Sequence, residues 1–235
     1  MEDMQHQVMG YDRTATMFAP DGHILQVEYA EKTVRLGSAS IGIVCKEGVI
    51  IVSDKRTRDK LIVGESANKI YEIDEHIMAT ASGFIADARV LIEKARVLAQ
   101  QHRVTYDSEP TTESIVKEIA DIQQQFTQYG GGRPFGVALL IAGYGREPEL
   151  YTTDVSGNYL AYKANAIGES DEKIKEKLRE RYKENLSSAE GIKISLDIFK
   201  EILKDDFNMA RFDICVINKD KKIKRLSEKE LENYK

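Results

Sequence analysis

Tryptophan is absent from this chain of 235 residues, proline and histidine occur four times each, and cysteine occurs twice. Each scarcity removes a class of explanation. Two cysteines cannot build the disulfide framework of a small secreted scaffold. Cys45 and Cys215 each sit in an apolar β-like run, Ile41 to Cys45 and Ile214 to Ile217, and read as buried thiols of a reducing compartment. His6, His23, His76 and His102 lack the close spacing to one another or to a cysteine that a zinc site uses. The longest obvious apolar run, Val137 to Ala142, is far shorter than the roughly 20 residues of a membrane-spanning helix. No basic stretch followed by an apolar one opens the chain, so no secretion signal is read and the cytoplasm is the expected compartment. No phosphate-cradling glycine loop ending in Lys-Ser or Lys-Thr occurs, and Gly143-Tyr-Gly145 lacks the third glycine of a dinucleotide loop. A net charge of −5 argues against nucleic acid as the main partner.

What is present suits a folded protein. The 42% hydrophobic content rules out wholesale disorder, and the length allows a core that needs neither disulfides nor metal. Residues 1–19 carry no clear period and read as an arm, ahead of a single domain over 20–235. A short helix is expected after Pro20-Asp-Gly22, with Asp21 as its cap, Leu25, Tyr29 and Val34 on one face and Gly37 as its stop. Strands are expected over Ser38–Lys46 and Val49–Lys55 around a Glu47-Gly48 turn, then at Leu61–Val63, Lys69–Ile73 and His76–Ser82. Helices over Ile85–His102 and Thr111–Gln128 follow, their apolar positions spaced at i, i+3 and i+4. Strands at Val137–Gly143, Leu150–Asp154 and Tyr159–Ala166 lead to helices over Asp171–Lys183 and Ala189–Lys204. Ser187 and Glu190 form a capping-box pattern before the last of these. Strands at Arg211–Ile217 and near Ile223 precede a polar helix from Ser227. Blocks of strands alternating with pairs of helices make the class α+β.

Most local motifs have a plain structural reading. Ser66-Ala-Asn-Lys69 fits the Ser-x-x-Lys pattern of penicillin-interacting enzymes, but its companion motifs are missing. Asn185-Leu-Ser187 is a glycosylation triplet without a secretory route. The basic stretch Lys219 to Arg225 reads as a solvated hairpin. Two features are harder to dismiss. Gly130-Gly-Gly132 followed by Arg133 reads either as a flexible loop or as a loop that passes close to another chain. Tyr11-Asp12-Arg13 places an aromatic, an acid and a base in an otherwise unpatterned arm, where they could dock locally or bond to a neighbouring chain.

Gly10-Tyr-Asp-Arg13 and Phe18-Ala-Pro-Asp-Gly-His-Ile-Leu-Gln-Val-Glu-Tyr-Ala30 resemble the signature of proteasome α-type subunits. The resemblance continues through Gly37 to Gly42, Ser53 to Lys55, Asn68 to Ile70, Ser82-Gly83, Ala86 to Arg89, Tyr129 to Gly136 and Tyr182 to Leu186. It covers essentially the whole chain and looks most like the archaeal type. It implies a four-layer α/β/β/α sandwich of the N-terminal nucleophile hydrolase kind, with two antiparallel sheets between helix pairs. It also implies a non-catalytic subunit of the 20S core particle, which forms a heptameric outer ring with copies of itself and stacks on rings of β subunits. Substrate entry to the proteolytic chamber would be gated by Tyr11, Asp12, Arg13, Pro20 and Tyr29. The C-terminal tails of a proteasome-activating AAA ATPase would dock at Lys69, Gly37, Gly83 and Phe84. The loop of Tyr129, Gly130, Gly131, Gly132 and Arg133 would narrow the entrance through which unfolded protein substrates pass. Degradation would be ATPase-driven or ubiquitin-independent, with no cofactor, metal, nucleic acid or membrane involved. The catalytic β-type relatives expose a threonine after a glycine by cleavage. Here Gly37-Ser38 stands at that place, with Asp54 and Lys69 near the supporting acid and lysine. The alternative is therefore a catalytic N-terminal nucleophile hydrolase produced by processing at Ser38. Against it, the cut would discard the segment that carries the α signature. An extra Met1-Glu-Asp precedes Met4, where archaeal relatives often begin, and leaves the length of the arm open.

Overall fold

A computed structural model of the chain describes residues 10–56 and 61–234. The first nine residues, including His6 and nearly half of the expected arm, lie outside the described residues. Helix α1 (Leu25–Leu36) leads into strands β1 (Ser40–Val44) and β2 (Gly48–Asp54). Strands β3 (Ile70–Asp74) and β4 (Ile77–Gly83) precede helices α2 (Ile85–Tyr106) and α3 (Thr112–Gln128). Next come β5 (Val137–Tyr144), β6 (Pro148–Thr153), β7 (Tyr159–Ala161) and β8 (Ala164–Ile167). Helices α4 (Asp171–Arg181) and α5 (Ser188–Leu203), strands β9 (Phe212–Asn218) and β10 (Ile223–Arg225) and the short helix α6 (Glu228–Leu231) complete the described chain.

The strands form two five-stranded antiparallel sheets, β10-β9-β2-β1-β8 and β3-β4-β5-β6-β7. Three apolar layers hold them between helices. Val49 and Ile51 of β2 meet Ala138, Leu140 and Ala142 of β5 between the sheets. The alternate residues of β2, Ile50 and Val52, face Ile174, Leu178, Leu196 and Phe199 of α4 and α5. The alternate residues of β5, Val137, Leu139 and Ile141, face Leu91, Ala95, Ile115 and Ile119 of α2 and α3. A strand covered on both faces has no polar side to show, which is why β5 reads as an unbroken apolar run. The α+β class expected from the order of elements, and the sandwich that the resemblance implies, are thus the observed architecture. Cys45 and Cys215 are buried free thiols, and burial pushes both up to about 12.

Capping chemistry sets several boundaries as the sequence indicated. Ser187 and Glu190 form the expected reciprocal capping box at the start of α5, and Ser227 with Glu230, not singled out from the sequence, forms another before α6. Gly37 closes α1, its amide donating to the Val34 carbonyl. Three expectations need correction. Asp21 does not cap α1. Its carboxylate accepts from the His23 amide in a turn, and the helix starts later, after Ile24. Leu61–Val63 is not a strand but an exposed turn before a 3-10 turn at Gly64–Ala67. β2, which precedes it in the chain, is already paired on both edges, by β1 and β9, and offers it no place. Tyr159–Ala166 is not one strand. β7 belongs to one sheet and β8 to the other, and the chain crosses between them at Tyr162 and Lys163. The Tyr162 amide still donates to Leu150 of β6, whereas the Lys163 carbonyl already accepts from Val44 at the end of β1. Helix α2 also runs a turn further than expected, to Tyr106, and ends at Asp107 in the left-handed region with φ 49°. Among the described residues, no helix is long and apolar enough to cross a membrane.

Candidate functional site

The segment between α1 and β1 is where the two sheets and the N-terminal helix meet. Gly37 lies so close to β4 that an added Cβ would stand 2.3 Å from Ser82 Oγ and 2.4 Å from the Gly83 amide nitrogen. Gly83 has φ 117°, and a Cβ there would stand 2.2 Å from the Gly136 carbonyl oxygen. Two hydroxyls fasten α1 to the same place. Ser82 Oγ donates to the Val34 carbonyl at 3.0 Å, and Thr33 Oγ1 donates to the Gly136 carbonyl at 2.8 Å. The Glu169 amide donates to the Gly37 carbonyl at 2.8 Å.

Lys69 enters this junction from the residue before β3 and is buried, at 8% exposure. Its Nζ donates to the Ser38 carbonyl at 2.9 Å and to Ser38 Oγ at 2.6 Å. Both acceptors are uncharged. The two carboxylates that favour its charge, Asp54 and Asp213, are committed to other groups. Arg211 grips Asp54 in a fork, Nε to Oδ1 at 3.0 Å and the second nitrogen to Oδ2 at 2.6 Å. Asp213 accepts from the Lys69 and Ile70 amides at 2.9 and 3.0 Å and pairs with Arg225. Burial outweighs the pull of Asp54 and Asp213, Arg56 adds repulsion, and the Lys69 ammonium is lowered to about 8. The junction therefore holds a buried cation whose two bonded acceptors are both uncharged.

Ser38, Asp54 and Lys69 do converge, as their resemblance to a nucleophile, acid and lysine implied. The chemistry turns on whether the bond before Ser38 is cut: while Gly37 stays attached, the Ser38 nitrogen is an amide and no α-amine stands beside the hydroxyl. A charged Lys69 donates to Ser38 Oγ and cannot take its proton.

Three further expected residues meet in one groove of about 280 Å³ lined by Gln26, Tyr29, Ala30, Thr33, Phe84 and Arg133 among others. Tyr29 is half-buried, and Phe84 is 53% exposed with the Arg133 guanidinium 5.2 Å from its ring centre. Arg133 also holds both oxygens of Asp87, at 2.6 and 2.8 Å, and the Gly136 amide donates to the same carboxylate at 2.9 Å. Burial raises Asp87, but the Arg133 hydrogen bonds, the Gly136 amide and the Arg133 charge together hold it below its ordinary range. Asp87 thus anchors the loop that follows α3. Within that loop Tyr129, Gly130 and Gly131 are exposed, Gly131 having φ 104°, and Gly132 packs near the Phe126 ring. At the other end, Tyr11–Arg13 forms a 3-10 turn after Gly10, and Pro20 is exposed in the turn that the buried Ala19 closes with His23. Tyr11 is half-buried and Arg13 exposed. The structure brings Lys69, Gly37 and Gly83 together at the junction, and Phe84, Tyr29 and Arg133 at the groove. The 3-10 turn at Tyr11–Arg13 is built from a separate segment.

Sequence reasoning missed Arg211, Asp213 and Asp87. A signal existed for Asp213, an acid inside the apolar run Phe212 to Ile217. Arg211 and Asp87 carry no local mark, because their partners lie 157 and 46 positions away.

Comparisons with known proteins bear on the family of the chain. Residues 34–217 match the family model for proteasome subunits, and residues 11–32 match the model for the N-terminal signature of the A-type proteasome subunits. The proteasome alpha subunit of Archaeoglobus fulgidus is 46% identical over 231 residues, covering 96% of this chain and 92% of that protein. That of Pyrococcus horikoshii is 45% identical over 226 residues, covering 96% and 86%. That of Methanothermobacter thermautotrophicus is 43% identical over 230 residues, covering 97% and 93%. A signature spanning the 3-10 turn and most of α1, a sandwich of two sheets between helix pairs and relatives alike over nearly their whole length together place this chain in the proteasome subunit family, as an α subunit of archaeal type.

Proposed function

We propose that this chain is a non-catalytic subunit of a cytoplasmic 20S core particle. It forms the heptameric outer ring with its own copies, stacks on β subunits, gates the entry of unfolded substrates and receives the C-terminal tails of a regulatory AAA ATPase. Residues 1–19 serve as the gating arm of a single domain over 20–235. The observation that carries the non-catalytic reading is the way α1 is built in. Ser82 and Thr33 bond it to the sheet, Gly37 fits against the Ser82-Gly83 backbone, and cleavage before Ser38 would release all of it.

The buried Lys69 ammonium supports the docking reading. A compact cation that already faces neutral acceptors gains more from a tail carboxylate than a surface lysine does, because screening is weaker there. Gly37 and Gly83 let the backbones close in around it, and Phe84 stands exposed at the adjoining groove. The signature match over residues 11–32 supports the gate, since Tyr11, Asp12, Arg13, Pro20 and Tyr29 all lie in it. In a sevenfold ring, small biases at each copy add, so each tail needs only a modest preference for the open state. Tyr129 to Arg133, held at one end by Asp87, would form the constriction below.

Native mass spectrometry of the purified chain, followed by denatured mass, tests the reading. Sevenfold rings, or stacked pairs of them, of a chain that keeps residues 11–37 are expected. A polypeptide that begins at Ser38 would replace this reading with the catalytic one. Deleting residues 2–12 should leave the rings intact and speed peptide hydrolysis by particles assembled with β subunits. Unchanged hydrolysis would remove the arm from the gate.

A further inference from the structure

Lys69 is not the only cation at the α1–β1 junction. Arg56, just after β2, reaches the same stretch. One guanidinium nitrogen donates to the Leu36 carbonyl at 3.4 Å, at the end of α1, and another pairs with the Glu169 carboxylate. Lys69 holds Ser38 two residues along, and the Glu169 amide holds Gly37 between them. Arg56 stands near enough that its charge helps to depress Lys69. The two cations therefore flank three consecutive residues, Leu36, Gly37 and Ser38. They differ in how they are balanced. Lys69 is buried against neutral acceptors, whereas Arg56 already carries a carboxylate from within the chain. Arg56 and Glu169 are both largely exposed, at 42% and 57% of their side chains, so their pair is one that an incoming group can exchange.

We propose that Arg56 is a second receptor for the carboxylate that docks at Lys69, and that Glu169 occupies it as a built-in competitor until a tail arrives. The inference rests on the docking reading given under Proposed function and adds its specificity. A lone lysine attracts any anion as a point charge, whereas a planar guanidinium selects carboxylate geometry. Glu169 keeps that selection from being satisfied by dilute free carboxylates. A peptide tail, tethered at several contacts, brings its carboxylate at high local concentration and wins the exchange. Both Glu169 and Gly168 belong to the turn between β8 and α4, and an added Cβ on Gly168 would stand 2.7 Å from the Ser38 carbonyl oxygen. The competitor is thus mounted on the wall of the site it guards.

The test is fluorescence anisotropy on rings of the full chain at low ionic strength. The probe is a labelled peptide with the last residues of the regulatory ATPase and a free α-carboxylate, with the amidated peptide and acetate as controls. Glu169→Gln is expected to tighten the free-acid peptide roughly twofold to fivefold, the strength of an exposed ion pair, and to let acetate compete better. The double variant Arg56→Gln/Glu169→Gln is expected to lose that gain. Removing both charges together keeps the net charge constant, so a loss reports the guanidinium rather than the field. Glu169→Gln binding no tighter than wild type, or the double variant binding as well as Glu169→Gln, would overturn the proposal. Lys69→Ala separates the two readings. If it binds the peptide as wild type does, docking at Lys69 itself fails. If it loses binding while Glu169→Gln changes nothing, only the role of Arg56 and Glu169 fails. Both residues are exposed, and thermal unfolding of each variant checks that the rings are intact.

Discussion

Replacing Lys69 with methionine should change how stability responds to pH, in a direction that the burial of the ammonium dictates. The folded environment lowers this group from its ordinary 10.5 to about 8. Below about pH 8 both folded and unfolded chains carry the proton, and the folded state bears the whole penalty of a buried charge. Between about 8 and 10.5 the unfolded chain keeps a proton that the folded chain has lost, so stability rises with pH across that window. At about 1.4 kcal/mol per pH unit, the penalty relieved is of the order of 3 kcal/mol. Lys69→Met has no such term. Its stability relative to wild type should therefore be most favourable near pH 7 and decline by about 3 kcal/mol as pH rises to about 10.5. Guanidinium unfolding of both proteins in parallel at matched protomer concentration, from about pH 7 to 10.5, measures the difference. Tyrosines and other lysines titrate in both proteins and cancel. A difference that stays flat, or one that grows in favour of the variant as pH rises, would refute the account of Lys69 as a buried cation held by neutral acceptors.

Tail binding should follow the same proton. With Lys69 near 8, the affinity of a free-acid tail peptide should fall about tenfold between about pH 7 and 9, as read by anisotropy; a Kd that does not move would remove Lys69 as the receptor. Gly37→Ala should destabilise the chain by about 1–3 kcal/mol or more, because its Cβ would meet the Gly83 backbone nitrogen at 2.4 Å and backbone cannot swing away. An unchanged thermal midpoint would contradict that packing. Asp54→Ala should cost about 3–5 kcal/mol, since Arg211 would be left buried without its carboxylate. The double variant Asp54→Ala/Arg211→Met should recover part of the loss, and equal losses in the two proteins would argue against a buried pair.

The sequence by itself determined the local elements and the family. The capping box at Ser187 and Glu190, the stop at Gly37, the i, i+3, i+4 stripes of α2 and α3 and the signature from Tyr11 to Ala30 are all short-range, and each has its physical cause within a few residues. The triad of Ser38, Asp54 and Lys69 was also legible, though only through resemblance. Tertiary structure decided the rest, because it depends on which edges and charges are already taken. Leu61–Val63 has the propensity of a strand, but β2, which precedes it in the chain, is paired on both edges. Tyr159–Ala166 reads as one strand, yet it serves two sheets, since local propensity carries no record of which neighbour accepts the hydrogen bonds. The state of Lys69 is the furthest from the sequence. It depends on Asp54 being claimed by Arg211, on Asp213 being claimed by backbone amides and on Ser38 turning both its oxygens toward the ammonium, contacts that join positions 31 to 157 residues apart. Burial and competition among partners set a charge's energy, and both exist only once the sheets have packed.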